Sequence, residues 1–214
     1  MSESASYRGI TINIDDLGKR FNREWIFRNL TYSFEPGQMY AVTGPNGSGK
    51  STLMQILWGQ SLPSAGTISY SESGSDIPAE EIFRRVSIAT PYMDLIEELT
   101  LEEHIDFHCR LKPLRAGITR DELIERMYLS SSRKKQIGVF SSGMRQRLKI
   151  GLALFSQADI VFLDEPGTNL DKQAFSWYML QITDTLSHSS IIVASNNPDE
   201  YKGASAALNI MDYK

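Results

Sequence analysis

The stretch MYAVTGPNGSGKSTLMQIL, residues 39–57, joins an apolar run, a glycine-rich segment and a helical pattern. Residues 44–51 have the spacing GxxxxGK[ST] in the strand-to-helix context that this motif requires. Glycines let the backbone wrap closely round phosphates, backbone N–H groups and the helix N-terminus donate to them, and Lys50 adds a cation. Ser51 is a candidate Mg²⁺ ligand. The alternative is a glycine-rich turn before an ordinary helix, but the flanking strand and helix patterns favour nucleotide binding.

We call residues 44–52 the phosphate loop. Because phosphates are held largely by consecutive backbone N–H groups, we expect the whole loop to line a bound nucleotide. Its candidate binding residues are Gly44, Pro45, Asn46, Gly47, Ser48, Gly49, Lys50, Ser51 and Thr52.

A second candidate site is the acidic end of the apolar run in ADIVFLDEP, residues 158–166. Successive side chains of a strand point in opposite directions, so we expect Asp164 and Glu165 to have different surroundings. We predict that Asp164 holds Mg²⁺ and that Glu165 is the general base that polarises water for attack on a γ-phosphate. A solvated loop start is the alternative for an Asp-Glu pair, and a phosphate loop on the same chain disfavours it.

The apolar patterns of the segments around these groups indicate an α/β fold. Two N-terminal segments alternate apolar and polar residues, which is typical of half-buried antiparallel strands. Four later runs are short and continuously apolar, as expected of parallel strands covered on both faces. The alternating apolar residues are Ile10, Ile12, Ile14, Leu30, Tyr32 and Phe34, and the later runs are MYAVTG, VSIAT, IVFLD and IIVAS.

The stretch from about residue 92 to residue 135 is richer in helix signals. Capping boxes are predicted at Thr100/Glu103 and Thr119/Glu122, with a break at Pro113 between them. We therefore predict a mostly parallel central sheet, an N-terminal antiparallel β-subdomain and a helical subdomain inserted at about residues 92–140. All of these belong to one domain of residues 1–214, although two lobes around a cleft would also fit this length.

Composition excludes several classes of protein. A net charge of -4 shows no excess of Lys and Arg of the kind that binds nucleic acid, so no nucleic acid is expected as a partner. There is no run of about 18 apolar residues, and MSESASYRG lacks the features of a signal peptide, so we expect a cytosolic, soluble chain. The single cysteine, Cys109, excludes an intrachain disulfide and is expected to be structural.

Between the two candidate sites lies FSSGMRQRLKIGLALF, residues 140–155, a small-residue turn that leads into a helix. With it the chain resembles the ATP-binding cassette (ABC) family, the motor subunits of ABC transporters. The resemblance covers nearly all of the chain and keeps the motif order GPNGSGKST, FSSGMRQR, IVFLDEP, TNLD. It implies a P-loop NTPase core that binds ATP and Mg²⁺ and hydrolyses ATP.

By this resemblance FSSGM stands at the position of the signature LSGGQ. Ser141 and Gly143 would then contact the γ-phosphate bound to another protomer, and a helix N-terminus with a free hydroxyl suits an anion. Ser142 and Met144 depart from the common Gly and Gln. The alternative is a serine N-cap without a ligand.

Two further residues have roles implied by position. Phe21, in LGKRF, matches the aromatic residue that stacks on adenine, and simple packing is its alternative. Asp171, at the end of GTNLD, resembles the D-loop aspartate at the dimer interface, and helix capping is its alternative.

The family pattern breaks at two places. Thr90 and Pro91 stand where the family has a Gln that touches Mg²⁺ and water; Pro91 offers no donor, and the Thr90 hydroxyl is a candidate substitute ligand. Asn196 stands where the family has a His that reaches the γ-phosphate. Asn can donate through its amide but carries no charge, which predicts slow rather than absent turnover.

The resemblance implies an ATP-hydrolysing motor subunit. Two protomers, identical or different, would sandwich two ATP molecules. A membrane-spanning permease subunit would dock near residues 92–100 and hold the chain on the inner face of the cell membrane. We also expect no C-terminal regulatory domain. The alternatives are a soluble ABC-type switch protein and a binding-only regulatory cassette with weak hydrolysis.

Overall fold

Two β-sheets form the framework of residues 9–214. The computed structural model describes residues 9–214, so nearly all of the N-terminal stretch MSESASYRG lies outside the described residues. The larger sheet has five strands in the order β6-β7-β8-β3-β9, and every neighbouring pair is parallel. These strands are β3 (Met39–Thr43), β6 (Val86–Ala89), β7 (Ile160–Asp164), β8 (Ser190–Ala194) and β9 (Ala206–Asn209).

The parallel sheet is covered on both faces, as its apolar runs predict. Along β7, Ile160 and Phe162 belong to one hydrophobic core, whereas Val161 and Leu163 belong to a second core on the other face. This alternation explains why the strand sequence is apolar throughout.

The smaller sheet is antiparallel and has the order β2-β1-β4-β5. The alternating residues Ile10, Ile12 and Ile14 are buried, and they pack on the first core. Register shifts interrupt the pairing of β1 with β2, and Phe21 pairs with Glu24 at the turn. The strands are β1 (Ile10–Phe21), β2 (Glu24–Phe34), β4 (Ala65–Glu72) and β5 (Ser75–Ile77).

The described part of the chain also contains six α-helices. The predicted capping boxes at Thr100/Glu103 and Thr119/Glu122 are both formed, at the starts of α3 and α4. Cys109 is half-buried in α3, and burial raises the pKa of its thiol. The helices are α1 (Lys50–Leu57), α2 (Ile82–Arg85), α3 (Leu101–Leu111), α4 (Arg120–Arg126), α5 (Ser142–Phe155) and α6 (Lys172–Thr185).

Short 3₁₀ turns connect several of these elements. They are Ala79–Glu81, Ser130–Ser132, Ile137–Val139, Pro198–Tyr201 and Ile210–Tyr213. Within residues 9–214, none of the helices has the length and apolar character needed to cross a membrane.

The strand register brings the predicted chemistry to one edge. Val42 of β3 and Asp164 of β7 each pair with Ala194 of β8, so these three strands end together. The phosphate loop, the acidic pair and the loop that contains Asn196 all leave this edge, as expected for an α/β sheet that binds ligands at its carboxyl end.

Candidate functional site

The phosphate loop turns tightly from β3 into α1. Its tip at Pro45, Asn46 and Gly47 is exposed, whereas Lys50 is buried. Gly49 has a φ of 108°, and a Cβ there would lie 2.4 Å from Cγ2 of Ile26. The loop geometry therefore requires glycine at this position, both for its backbone conformation and for the close approach of β2.

Lys50 lies across the interior of the loop. Its Nζ donates to the carbonyl oxygens of Gly44 at 3.0 Å and Pro45 at 3.4 Å. The same Nζ lies 3.2 Å from Oε1 of Glu165. The cation of the phosphate loop and the predicted general base therefore share one small region.

Asp164 is the buried member of the acidic pair, with 3% of its surface exposed. Burial raises the pKa of its carboxyl, and a hydrogen bond from the Ser51 side chain acts in the opposite direction. Its Oδ1 is buried and has no partner among the described residues. A hydroxyl beside an unpartnered carboxylate oxygen is a donor set that suits a hard divalent cation such as Mg²⁺.

Glu165 has different surroundings from Asp164, but strand alternation is not the reason. β7 ends at Asp164, and Glu165 has a φ of 46°, a conformation outside the extended region. Its backbone N–H donates to the carbonyl oxygen of Ala194 at 2.8 Å. The chain therefore turns at Glu165, and this turn directs the side chain to Lys50 while Asp164 stays beside Ser51.

Asn196 lies immediately beyond β8 and contacts the phosphate loop. Its Nδ2 donates to Oδ1 of Asn46 at 3.1 Å. The structure thus brings Asn196 to the tip of the phosphate loop. Its role toward phosphate stays a prediction.

Thr90 lies at the same sheet edge. Ala89, the last residue of β6, is paired with Leu163, so Thr90 follows at the level of Asp164. The carbonyl oxygen of Pro91 accepts a hydrogen bond from Nζ of Lys149 at 2.9 Å. This contact ties the segment after β6 to helix α5.

The signature residues lie at the N-terminus of α5. Ser141 is the N-cap, and its Oγ accepts from the backbone N–H of Met144 at 3.3 Å. A Cβ on Gly143 would lie 3.1 Å from the carbonyl oxygen of Asn169, in the segment that precedes Asp171. Ser141 is exposed, so this helix end is accessible from solvent.

Phe21 and Asp171 are also exposed. The Phe21 side chain is 53% exposed, and Nζ of Lys19 lies 5.3 Å from its ring centroid. It is therefore not a core residue, contrary to the packing alternative. Asp171 caps α6, since its Oδ1 accepts from the backbone N–H of Ala174 at 2.8 Å.

Two buried polar residues near the site were missed by the sequence reasoning. Gln146 in α5 donates to the carbonyl oxygen of Pro166 at 2.9 Å, which ties the signature helix to the loop after Glu165. Its position on the buried face of an amphipathic helix was a usable signal. Glu200 is the second, and its setting PDEY is typical of an ordinary polar turn.

Comparison with known proteins places this geometry in a family. The family profile described as ABC transporter matches residues 27–168. The chain is 32% identical over 168 residues to the Nod factor export ATP-binding protein I of Burkholderia pseudomallei (strain 1710b), which is 76% of this chain and 55% of that protein. It is 34% identical over 165 residues to the daunorubicin resistance ATP-binding protein DrrA3 of Streptomyces coeruleorubidus, 75% of this chain and 52% of that one.

The chain thus spans about half the length of the curated relatives that it matches. Among solved structures it is similar to a dimeric ATP-binding cassette in a post-hydrolysis state bound to ADP and Pi. The TM-score is 0.78 at 18% identity, with 92% of this chain and 93% of that chain covered, a likeness of fold. Because the family profile covers most of the chain, including the phosphate loop, the signature and the acidic strand end, this chain belongs to the ABC transporter family.

Proposed function

We propose that this chain is the ATP-binding and ATP-hydrolysing motor subunit of an ABC transporter and powers translocation by a separate membrane-spanning partner. The supporting observation is the convergence of three groups at one sheet edge of a chain from this family. They are Lys50 in the phosphate loop, the Asp164–Glu165 pair and Asn196.

ATP binds along the phosphate loop in this proposal. The loop N–H groups and Lys50 hold the phosphates, and the N-terminus of α1 adds a favourable dipole. The exposed ring of Phe21, at the end of the β1–β2 hairpin, stacks on adenine.

Mg²⁺ fits the donors beside the phosphates. Asp164 and Ser51 would hold it, since Asp164 presents an unpartnered buried oxygen next to the serine hydroxyl, and Thr90 follows at the same level. When bound, the ion offsets charge on the phosphate oxygens. Binding the ion would also satisfy the buried Oδ1 of Asp164.

Glu165 is the proposed general base and Asn196 the proposed contact to the γ-phosphate. Oε1 of Glu165 lies 3.2 Å from Nζ of Lys50, and Asn196 contacts the tip of the phosphate loop at Asn46. A carboxylate there can accept a proton from water, and an amide there can donate to a terminal phosphate oxygen.

A second ABC ATPase protomer completes the site in this proposal. Ser141 and Gly143 lie at an exposed helix N-terminus that would cap the γ-phosphate bound to the other protomer. Asp171, at the exposed start of α6, lies at the proposed interface between protomers. The second protomer is a copy of this chain or a different cassette chain.

The membrane-spanning partner docks in an apolar groove of about 500 Å³. Phe83, Phe107 and Leu111 line it and are 62%, 44% and 72% exposed. Asp94 lies at the groove, and Glu98 follows in the 92–100 segment. We propose that the occupant is a short amphipathic cytoplasmic helix of the permease, whose apolar face packs on these three apolar side chains. Docking would hold the chain on the inner face of the membrane.

Co-purification from native membranes, followed by an ATPase assay of the recovered material, tests this proposal. We expect a membrane-spanning subunit in the recovered complex, and steady hydrolysis of ATP. Recovery only with ribosomes or DNA would contradict the transporter assignment.

A binding-only regulatory cassette is the second candidate. The observation that favours it is the presence of Pro91 and Asn196 where the family has Gln and His. Bound ATP without hydrolysis in the wild-type complex would favour this candidate. The intact Glu165 argues against it.

A further inference from the structure

Glu200 is a buried carboxylate close to the candidate site. It lies in the 3₁₀ turn Pro198–Tyr201 that follows β8, and 4% of its surface is exposed. Glutamate is rarely this buried unless it is paired. Lys50, the proposed phosphate ligand, pairs with Glu165 and not with Glu200.

The Glu200 carboxylate accepts hydrogen bonds from the Ser195 side chain, the backbone N–H of Gly167 and the Asn197 side chain. A Cβ on Gly167 would lie 2.4 Å from Oε1 of Glu200, so any larger residue there would displace the carboxylate from its present position. Burial and the nearby Glu165 carboxylate raise the pKa of the Glu200 carboxyl, and the hydrogen bonds from Ser195, Gly167 and Asn197 act in the opposite direction.

These partners belong to two different loops of the site, Gly167 to one and Ser195 and Asn197 to the other. Gly167 follows Glu165 by two residues. Ser195 is fully buried next to Asn196, and its Oγ also accepts from the backbone N–H of Asn197 at 2.9 Å. One carboxylate therefore links the loop after the proposed base to the loop that presents Asn196.

Fold stability alone does not account for this carboxylate. Its Oε2 is buried and has no partner among the described residues, and a buried carboxylate oxygen without a partner costs free energy of folding. The turn is separately held by a hydrogen bond from the Tyr178 hydroxyl to the Glu200 carbonyl oxygen at 2.8 Å. The turn thus has an anchor that does not require the carboxylate.

We propose that Glu200 is a positioning residue that clamps the Glu165 loop to the Asn196 loop, so that both side chains reach the same γ-phosphate. This inference rests on the proposed ATP hydrolysis. Glu200 itself does not touch the nucleotide. Loss of Glu200 should therefore slow hydrolysis rather than weaken ATP binding, because the phosphate loop and the exposed ring of Phe21 lie on other segments.

Glu200→Gln, assayed in the complex recovered from membranes, tests the clamp, with Asp199→Asn as the matched control. Asp199 is the exposed neighbour, so its substitution makes the same change of charge. We expect Glu200→Gln to lower kcat about tenfold, the effect of weakening a hydrogen bond to a charged group. We expect ATP affinity to stay within about twofold of wild type and Asp199→Asn to behave like wild type.

A double-mutant cycle separates positioning from a structural role. In an Asn196→Ala background, the effect of Glu200→Gln should shrink to less than about threefold, because the two residues act as a unit. Additive losses, an unchanged kcat in Glu200→Gln, or parallel losses of Tm and ATP affinity without a loss of kcat would each overturn the proposal.

Ser195→Ala provides the second variant if Glu200→Gln fails to fold. It removes one small hydroxyl and should show the same loss of kcat with retained ATP affinity; an unchanged kcat would overturn the clamp. Absence of hydrolysis in the wild-type complex would instead refute the proposed function, and this inference would fall with it.

Discussion

At the scale of single residues, neighbouring side chains acquire different chemistry from their surroundings. Asp164 ends a buried strand and keeps an unpartnered oxygen beside Ser51, whereas Glu165 turns out of the strand toward Lys50. Burial raises the pKa of the Asp164 carboxyl, so a bound cation would act against that rise. The Asp164 carboxylate is thus suited to bind a metal ion, and the Glu165 carboxylate is suited to accept a proton from water.

Asn196→His is predicted to raise kcat. An imidazolium donates a charged hydrogen bond to phosphate, and the gain over a neutral amide is about 1.4 kcal/mol, or about tenfold in rate. Steady-state ATPase measurements of wild type, Asn196→His and Asn196→Ala check this. An unchanged or lower kcat in Asn196→His would show that the site, including the contact to Asn46, is built around asparagine.

Thr90→Val is predicted to weaken Mg²⁺ binding in the presence of ATP. Valine keeps the shape of threonine but removes the hydroxyl, and the loss of a metal-site oxygen typically costs about tenfold in affinity. Thr67→Val, on the exposed surface of β4, makes the same chemical change away from the site. Titration of Mg²⁺ against ATPase rate gives the affinity, and equal values for both variants would exclude Thr90 as a ligand.

At the scale of elements, the phosphate loop depends on glycine geometry. Gly49→Ala would place a methyl group 2.4 Å from Ile26 at a φ of 108°. Strain of about 1–3 kcal/mol at this residue predicts an ATP affinity about 5- to 150-fold lower. Isothermal titration calorimetry with ATP measures this change.

Gly74→Ala is the matched control for that prediction. Gly74 also has a positive φ, of 83°, and a Cβ there would meet nothing within 4 Å. It lies between β4 and β5, so any general effect of an alanine at positive φ should appear in both variants. Equal ATP affinities for Gly49→Ala and wild type would contradict the requirement for glycine.

The elements themselves were predictable because their periodicity is strong. The apolar runs predicted the parallel strands, and the capping-box sequences at Thr100 and Thr119 predicted the starts of α3 and α4. The turn at Glu165 was not predictable, because a φ of 46° in glutamate has no pattern in the sequence. The burial of Glu200 was not predictable from the sequence either, because it depends on contact with Gly167 in a distant segment.

At the scale of the whole molecule, the candidate site is assembled from distant segments. The phosphate loop, the end of β7 and the loop after β8 meet because three parallel strands end in register. The motif order and spacing predicted this meeting, whereas the contact between Asn196 and Asn46 depends on loop conformation. The start of α5 and the apolar groove are exposed, and they are the surfaces proposed to contact a second protomer and a membrane partner.

The central claim is that this assembled site hydrolyses ATP with Glu165 as the base, and Glu165→Gln tests it most directly. Single-turnover hydrolysis and ATP affinity are measured for wild type, Glu165→Gln and the exposed control Glu80→Gln. We predict that only Glu165→Gln loses at least about a hundredfold in hydrolysis, with ATP affinity retained. Equal hydrolysis in wild type and Glu165→Gln, or none in wild type with ATP bound, would contradict the claim.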